Sequence, residues 1–231
     1  MSIYKNQYLY YENYLTITYL YSERFEDLKM RLFLIRHGES EAGRNKIISG
    51  QSDSSLSKIG KMQATALGQE FLESGFKFNV VYSSDIERAS QTSAVICEIL
   101  GIRDIIFDKR LREQDTGIFT GRKASSLSNE EKEFLDKALI DLDLRIPGGE
   151  TNREMTSRIK EAFHEIILNN QEDSTILLVA HGGTLYHILV RVLDLLPSRM
   201  AEWFGNCAKN VLERKSREDS WRVTIFNNKT L

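Results

Sequence analysis

Leu32-Phe33-Leu34-Ile35-Arg36-His37-Gly38-Glu39-Ser40 is the stretch on which the reading of this chain turns. Four apolar residues in succession predict a strand buried on both faces, as in parallel sheets covered by helices. The run stops abruptly at an arginine, a histidine and a glycine, and open α/β sheets place ligands at the carboxyl ends of their strands. A second apolar run, Thr175 to Ala180, ends in His181-Gly182-Gly183-Thr184. If both strands belong to one parallel sheet, His37 and His181 stand side by side at its C-terminal edge although 144 positions separate them.

Outward from these two strands, the pattern alternates. Ser57 opens a helix whose apolar side is read as Ile59, Met62, Ala66, Leu67 and Phe71, with Gly75 ending it. A strand over Phe78 to Tyr82 runs into Ser83-Ser84-Asp85, three residues suited to cap the helix that carries Arg88, Gln91 and Thr92 near its start. Ile105-Ile106-Phe107 reads as a short strand, and Leu111 to Gly117, with Gly121 beyond, as an irregular loop. Ser128 to Leu142 is helical but strongly charged; its narrow stripe of Phe134, Leu135, Ala138 and Leu139 predicts a half-exposed helix in a small cap. After the turn at Ile146 to Thr151, a helix buries Met155, Ile159, Ala162, Phe163, Ile166 and Ile167. The helix after His181 buries Leu185, Ile188, Leu189, Val192 and Leu193 and is limited by Pro197, and Trp221 to Phe226 forms a late strand. This order predicts an α/β three-layer sandwich, with a mostly parallel central sheet flanked by helices.

At 231 residues and 41% hydrophobic content the chain can bury one sizeable core. We read residues 30–231 as a single domain with a small helical cap around 122–146, preceded by an N-terminal extension, 1–29, that holds seven of the nine tyrosines. Three readings of that extension stay open: a segment docked on the body, a partner-binding segment, or translated sequence upstream of a natural start at Met30. A net charge of -2 gives no electrostatic reason to expect nucleic acid or membrane as a partner, so any basic site must be local. Cys97 and Cys207 match no metal or redox spacing, and neither a secretory leader nor a long apolar span is seen, so a cytoplasmic location is the default expectation. His164 and His187 lie within helices and read as packing or surface residues; no zinc spacing is present.

The chemistry-bearing residues each have a plain alternative. Arg36 and His37 offer a fixed cation and an imidazole, and Gly38 lets a ligand approach closely; alone, they are equally an ion-paired arginine beside a strand-end histidine. His181-Gly182-Gly183 sits at a strand-to-helix junction, where free N–H groups favour an anion. Arg88, in the first turn of its helix, opposes the helix dipole, which either an anionic ligand or a surface pair with Glu87 or Asp85 would relieve. Glu113 is either a solvated loop carboxylate or an acid. Two arginines, two histidines and a carboxylate at loop positions of an α/β sheet together suit the handling of phosphate.

Arg36-His37-Gly38-Glu39-Ser40, Ser83-Ser84 with Arg88-Ala89 and Gln91-Thr92, Leu111-Arg112-Glu113 with Gly117 and Gly121, Pro147-Gly148-Gly149-Glu150-Thr151, and His181-Gly182-Gly183 together resemble the ordered signature of the histidine phosphatase superfamily, phosphoglycerate mutase-like branch. The resemblance implies that His37 is the nucleophile and becomes a phosphohistidine. Arg36, Arg88 and His181 would hold the transferring group, and Glu113 would protonate the leaving oxygen and then activate water. His37 would be neutral, its second ring nitrogen donating to a fixed acceptor, whereas His181 would work best as a cation. Gly38, Ser40, Ser49, Gly50, Gly182 and Gly183 would line the substrate site, with no metal and no cofactor, and the partner would be a small phosphorylated metabolite; a homodimer is left open. Two positions depart from the pattern. Gly43 stands where many relatives have an asparagine six residues after the histidine, with Asn45 two places later, and Ala124 stands where mutases have a lysine, with Lys123 one place before. The expected activity is therefore that of a metal-independent phosphomonoesterase, the alternatives being a 2,3-bisphosphoglycerate-dependent phosphoglycerate mutase or a non-catalytic phospho-ligand-binding module.

Overall fold

The computed structural model describes residues 29–195 and 204–230, so that the tyrosine-rich segment, Lys29 apart, and Pro197 lie outside the described residues. Among the described residues seven strands form one sheet: β1 (Met30–Arg36), β2 (Val80–Ser83), β3 (Ile106–Phe107), β4 (Thr175–Ala180), β5 (Lys209–Arg214), β6 (Arg222–Phe226) and β7 (Lys229–Thr230), in the order β3-β2-β4-β1-β5-β6-β7. The first four in that order run parallel, and β5 to β7 extend the sheet antiparallel from β1. Arg36 pairs with Ala180, and His37 N–H donates to the Ala180 carbonyl at 2.9 Å. The two histidines therefore leave neighbouring strands at the same level.

Alternation along the strands sends their side chains to two cores. Leu32 and Leu34 of β1, with Ile176, Leu178 and Ala180 of β4, pack under α5 (Asn152–Leu168) and α6 (Gly182–Tyr186), which continues as a π-helical turn over His187–Val192. Phe33, Ile35, Leu177 and Val179 face α2 (Lys58–Glu73) and α3 (Glu87–Leu100). Phe33 meets Phe71, Phe76 and Phe78 edge-on, with centroids 5.0–5.6 Å apart; each such pair is worth about 0.5–1.5 kcal/mol beyond burial. Helix, sheet and helix make the expected three layers. A further cluster of Phe119, Leu127, Ala138 and Ile146 forms under α4 (Asn129–Ala138), whose N-terminus is closed by a Ser128–Glu131 capping box. A four-residue helix, α1 (Glu41–Arg44), follows β1.

Three expectations need correction. The buried face of α2 is Gly60, Ala64, Leu67, Gly68 and Phe71, while Ile59, Met62 and Ala66 are exposed. Close approach decides this: a Cβ on Gly60 would stand 2.0 Å from the Glu39 carbonyl oxygen, and one on Gly68 2.8 Å from Ile99. The N-cap of α3 is Ile86, with no side-chain cap bond, because Ser84 and Asp85 are engaged elsewhere. The charged helix ends at Ala138 rather than Leu142, and the exposed Leu139 is not part of its buried stripe.

Candidate active site

His37 sits just beyond β1 and is 6% exposed. Its Nδ1 lies 2.7 Å from the Gly38 carbonyl oxygen, an acceptor only, so Nδ1 carries the proton. Nε2 consequently presents a lone pair, to which Arg88 Nε donates at 3.1 Å. The pKa of His37 is pushed well below its ordinary value by burial and by Arg88, with Arg36 adding to the effect. The ring is thus neutral, with the acceptor that the sequence could not reveal supplied by its own neighbour. Thr92 completes the support: its hydroxyl accepts the Gly38 N–H at 3.0 Å and donates to the Arg88 carbonyl at 2.7 Å. Asn206 donates to the His37 carbonyl at 2.7 Å.

Arg88, 2% exposed, is no surface residue. Its Nη1 and Nη2 donate to the carbonyls of Ser52 and Gly50 at 3.0 and 2.9 Å, which fixes the guanidinium against the His37 ring. Arg36 donates through Nη1 to the Phe204 carbonyl at 2.7 Å, and its Nε is buried without a hydrogen-bond partner among the described residues. Burial lowers the pKa of both arginines and Glu113 counteracts it; both remain cations at any ordinary pH.

His181 is fully buried, its ring centroid 5.2 Å from that of His37. Nε2 is 2.8 Å from Ser84 Oγ, which also accepts the Ile86 N–H at 3.3 Å, while Nδ1 has no hydrogen-bond partner among the described residues. Burial first, then Arg88 and His37, push its pKa well below the ordinary value. The expected cation is therefore a neutral imidazole in this structure. Glu113 approaches from the loop before α4, half-buried, its carboxylate accepting from Gln114 N–H at 3.0 Å and Gly183 N–H at 3.2 Å. Gly183 leaves room for that carboxylate: a Cβ would lie 2.1 Å from Glu113 Oε1, the movable end of its side chain.

The remaining expected residues divide. Gly38, Gly182 and Gly183 adjoin the two histidines, and the Gly50 carbonyl holds Arg88. The Ser40 hydroxyl caps α1 by accepting the Gly43 N–H at 3.1 Å, and Ser49 contributes its carbonyl to the turn closed by Ser52. Asn45 is exposed and donates to the Glu41 carbonyl, so it does not replace the asparagine that Gly43 displaces. Lys123 is exposed as well. His187 is buried, with Nδ1 2.8 Å from Thr156 Oγ1, and burial brings its pKa down to about 3; His164 is on the surface. Sequence reasoning missed the supporting residues Gln51, Arg158 and Asn206. Arg158 left one signal, its position on the boundary of the apolar face of α5, between Met155 and Ile159.

Among the described residues, no group of three or more His, Cys, Asp or Glu side chains is arranged to hold a metal ion, and no helix is long and apolar enough to cross a membrane. Both cysteines are buried and free. A neutral imidazole whose unprotonated Nε2 faces a buried guanidinium, with a second arginine, a second imidazole and a carboxylate close by, can take up and pass on a phosphoryl group once an ester draws that guanidinium off the ring. A family model, histidine phosphatase superfamily (branch 1), matches residues 32–229. The chain belongs to that superfamily. Probable phosphoglycerate mutase GpmB of Erwinia tasmaniensis is 36% identical over 168 residues, 72% of this chain and 76% of that protein. Among solved structures, mycobacterial glucosyl-3-phosphoglycerate phosphatase complexed with VO3 matches with a TM-score of 0.74 and 26% identity, over 86% of this chain and 99% of that one. The α-ribazole phosphatase of Shigella flexneri matches with a TM-score of 0.71 and 25% identity, over 86% and 96%. As a histidine phosphatase superfamily member with phosphatase neighbours, the protein is an enzyme acting on phosphate esters.

Proposed function

We propose that this enzyme is a phosphomonoesterase that hydrolyses a small phosphorylated metabolite through a phosphohistidine on His37. The observation that carries the reading is the bond from Nδ1–H to the Gly38 carbonyl, which leaves the Nε2 lone pair available beside two arginines. Because Arg88 Nε donates to that same lone pair, the guanidinium must turn this hydrogen bond from the ring to a phosphate oxygen as the ester enters, keeping its proton. Nε2 then attacks phosphorus while the ester P–O bond breaks. Glu113, in its acid form when the ester binds, gives its proton to the departing oxygen; water then attacks phosphorus, the P–N bond breaks with its electron pair returning to Nε2, and the water's proton goes to Glu113. Charge on the equatorial oxygens is met by Arg36, Arg88 and the N–H groups of α6. His181 takes part while neutral if Ser84 donates to Nε2, since Nδ1–H then faces the phosphate. The reading routes no step through a metal, so chelation should leave the rate unchanged.

Hydrolysis is favoured over a mutase by the state of the neighbouring cations. Arg112 is held by both oxygens of Asp85 at 2.7 and 2.6 Å, Arg122 by those of Glu131 at 2.6 and 2.9 Å, and Arg158 by those of Glu150. Each of these three would have to leave its carboxylate before it could hold the second phosphate of a bisphosphate. The 36% identical relative described as a probable phosphoglycerate mutase keeps that second reading in view. Incubation with 3-phosphoglycerate, with and without 2,3-bisphosphoglycerate, separates the two. Release of inorganic phosphate from this or another small ester supports the phosphatase. Bisphosphoglycerate-dependent formation of the 2-isomer without net phosphate release establishes the mutase instead.

A further inference from the structure

The turn Pro147-Gly148-Gly149-Glu150-Thr151 belongs to the family signature but takes no part in the chemistry above. Thr151 caps α5 through its own capping box with Glu154, which leaves Glu150 free for another task. Arg158, two turns along the helix, donates from Nε to Glu150 Oε2 at 3.0 Å and from Nη2 to Oε1 at 2.5 Å. Both side chains are less than one-fifth exposed. The other N–H groups of the guanidinium go to main chain: Nη1 donates to the carbonyls of Arg110 and Arg112 at 2.7 and 2.8 Å, and Nη2 to the carbonyl of Glu113 at 3.0 Å. Glu150 Oε1 also accepts the Asp115 N–H at 3.0 Å. Three carbonyls and one amide of residues 110–115 are thus satisfied by a single ion pair.

This matters because β3 ends at Phe107 and residues 112–116 have neither helix nor strand to hold them. Gln51 adds a second donor to the Glu113 carbonyl at 3.1 Å, whereas the Glu113 carboxylate itself accepts, among the described residues, from the N–H groups of Gln114 and Gly183. We propose that Arg158, oriented by Glu150, is the positioning residue for the general acid. It fixes the main chain of 110–115 so that the Glu113 carboxyl meets the leaving oxygen. The proposal rests on the role given to Glu113 above. A planar guanidinium suits the task, since it presents five N–H groups in one plane, whereas the single ammonium of a lysine cannot serve three carbonyls and two carboxylate oxygens together.

The test uses leaving-group dependence in the full chain. 4-Nitrophenolate departs without a proton, whereas the alkoxide of 2-glycerophosphate needs one, so the ratio of kcat/KM for the two esters reads acid catalysis. Glu113→Gln sets the reference by depressing the alkyl ester far more than the aryl ester. Arg158→Lys and, more mildly, Glu150→Gln should shift the ratio in the same direction, Arg158→Lys by about tenfold or more. Inhibition by vanadate, expected to draw on His37, Arg36, Arg88 and His181 rather than on Glu113, should stay near wild type. Should Arg158→Lys fail to fold, Glu150→Gln carries the same comparison. An unchanged ratio in the folded variants, beside a changed one in Glu113→Gln, overturns the proposal, as does an equal loss on both esters with weakened vanadate inhibition. An unchanged ratio in Glu113→Gln itself removes the acid assignment, and the proposal falls with it.

Discussion

Gly183→Ala is a substitution that should improve the helix and damage the chemistry. The added Cβ would stand 2.1 Å from Glu113 Oε1 and 3.3 Å from Met155 Cε, whereas ordinary contact begins at 3.4 Å. Gly183 lies in the first turn of α6, and alanine is favoured over glycine in helices by about 1 kcal/mol. The main chain has no reason to yield, and the carboxylate, at the end of a flexible side chain, must retreat by about 1.3 Å, the difference between the two distances. A misplacement of that size costs on the order of a hundredfold in rate, about 2.7 kcal/mol of barrier. The variant should melt no lower than wild type, bind vanadate as well, and lose kcat on alkyl phosphates while largely keeping it on 4-nitrophenyl phosphate. Wild-type kcat on an alkyl phosphate, in a protein of unchanged melting temperature, would refute the placement of Glu113 as the acid.

The other predictions concern the histidines. His37, His181 and His187 are buried and neutral, all with pKa values driven down by burial, so below about pH 6.5 the unfolded chain takes up protons that the native one refuses. Stability should fall with falling pH by about 1.4 kcal/mol per unit for each, about 4 kcal/mol per unit together between about pH 5.5 and 4. Urea unfolding over that range measures the slope; His187→Gln should remove about a third of it, and a flat profile would contradict the neutral assignments. Nitrogen-15 NMR of His181 should find the proton on Nδ1. In Ser84→Ala that preference should weaken and phosphate should bind less tightly, whereas an Nε2–H tautomer in the wild type would exclude Nδ1 as a phosphate donor.

Much of the frame was legible because it rests on short-range pattern. Thr175 to Ala180 reads as a strand and is one, and the pairing of Arg36 with Ala180 follows from two parallel strands ending alike. The face of α2 was not legible, since counting apolar residues favours Ile59 and Met62 while the helix is set by close approach of Gly60 to the Glu39 main chain and of Gly68 to the Ile99 side chain. The capping of α3 misled for a related reason: Ser84 is used by His181 and Asp85 by Arg112, partners dozens of positions away. Strand β5 escaped notice because Lys209-Asn210-Val211-Leu212-Glu213-Arg214 is polar at both ends, with Asn210 buried and donating to the Leu34 carbonyl. Within the site, His37, Arg36, Arg88, His181 and Glu113 do converge, as their motifs foretold. What the motifs could not give is the means of support, because a carbonyl acceptor such as Gly38 or a main-chain clamp such as Arg158 carries no residue-type signal of its own.

The central claim is that Nε2 of His37 takes the phosphoryl group. Rapid acid-free quenching during turnover of a phosphorus-32-labelled ester, followed by peptide mapping, tests it directly. A base-stable, acid-labile label on His37 is expected, lost in His37→Ala along with the hydrolytic activity. A label on any other residue, or undiminished hydrolysis by His37→Ala, would contradict it.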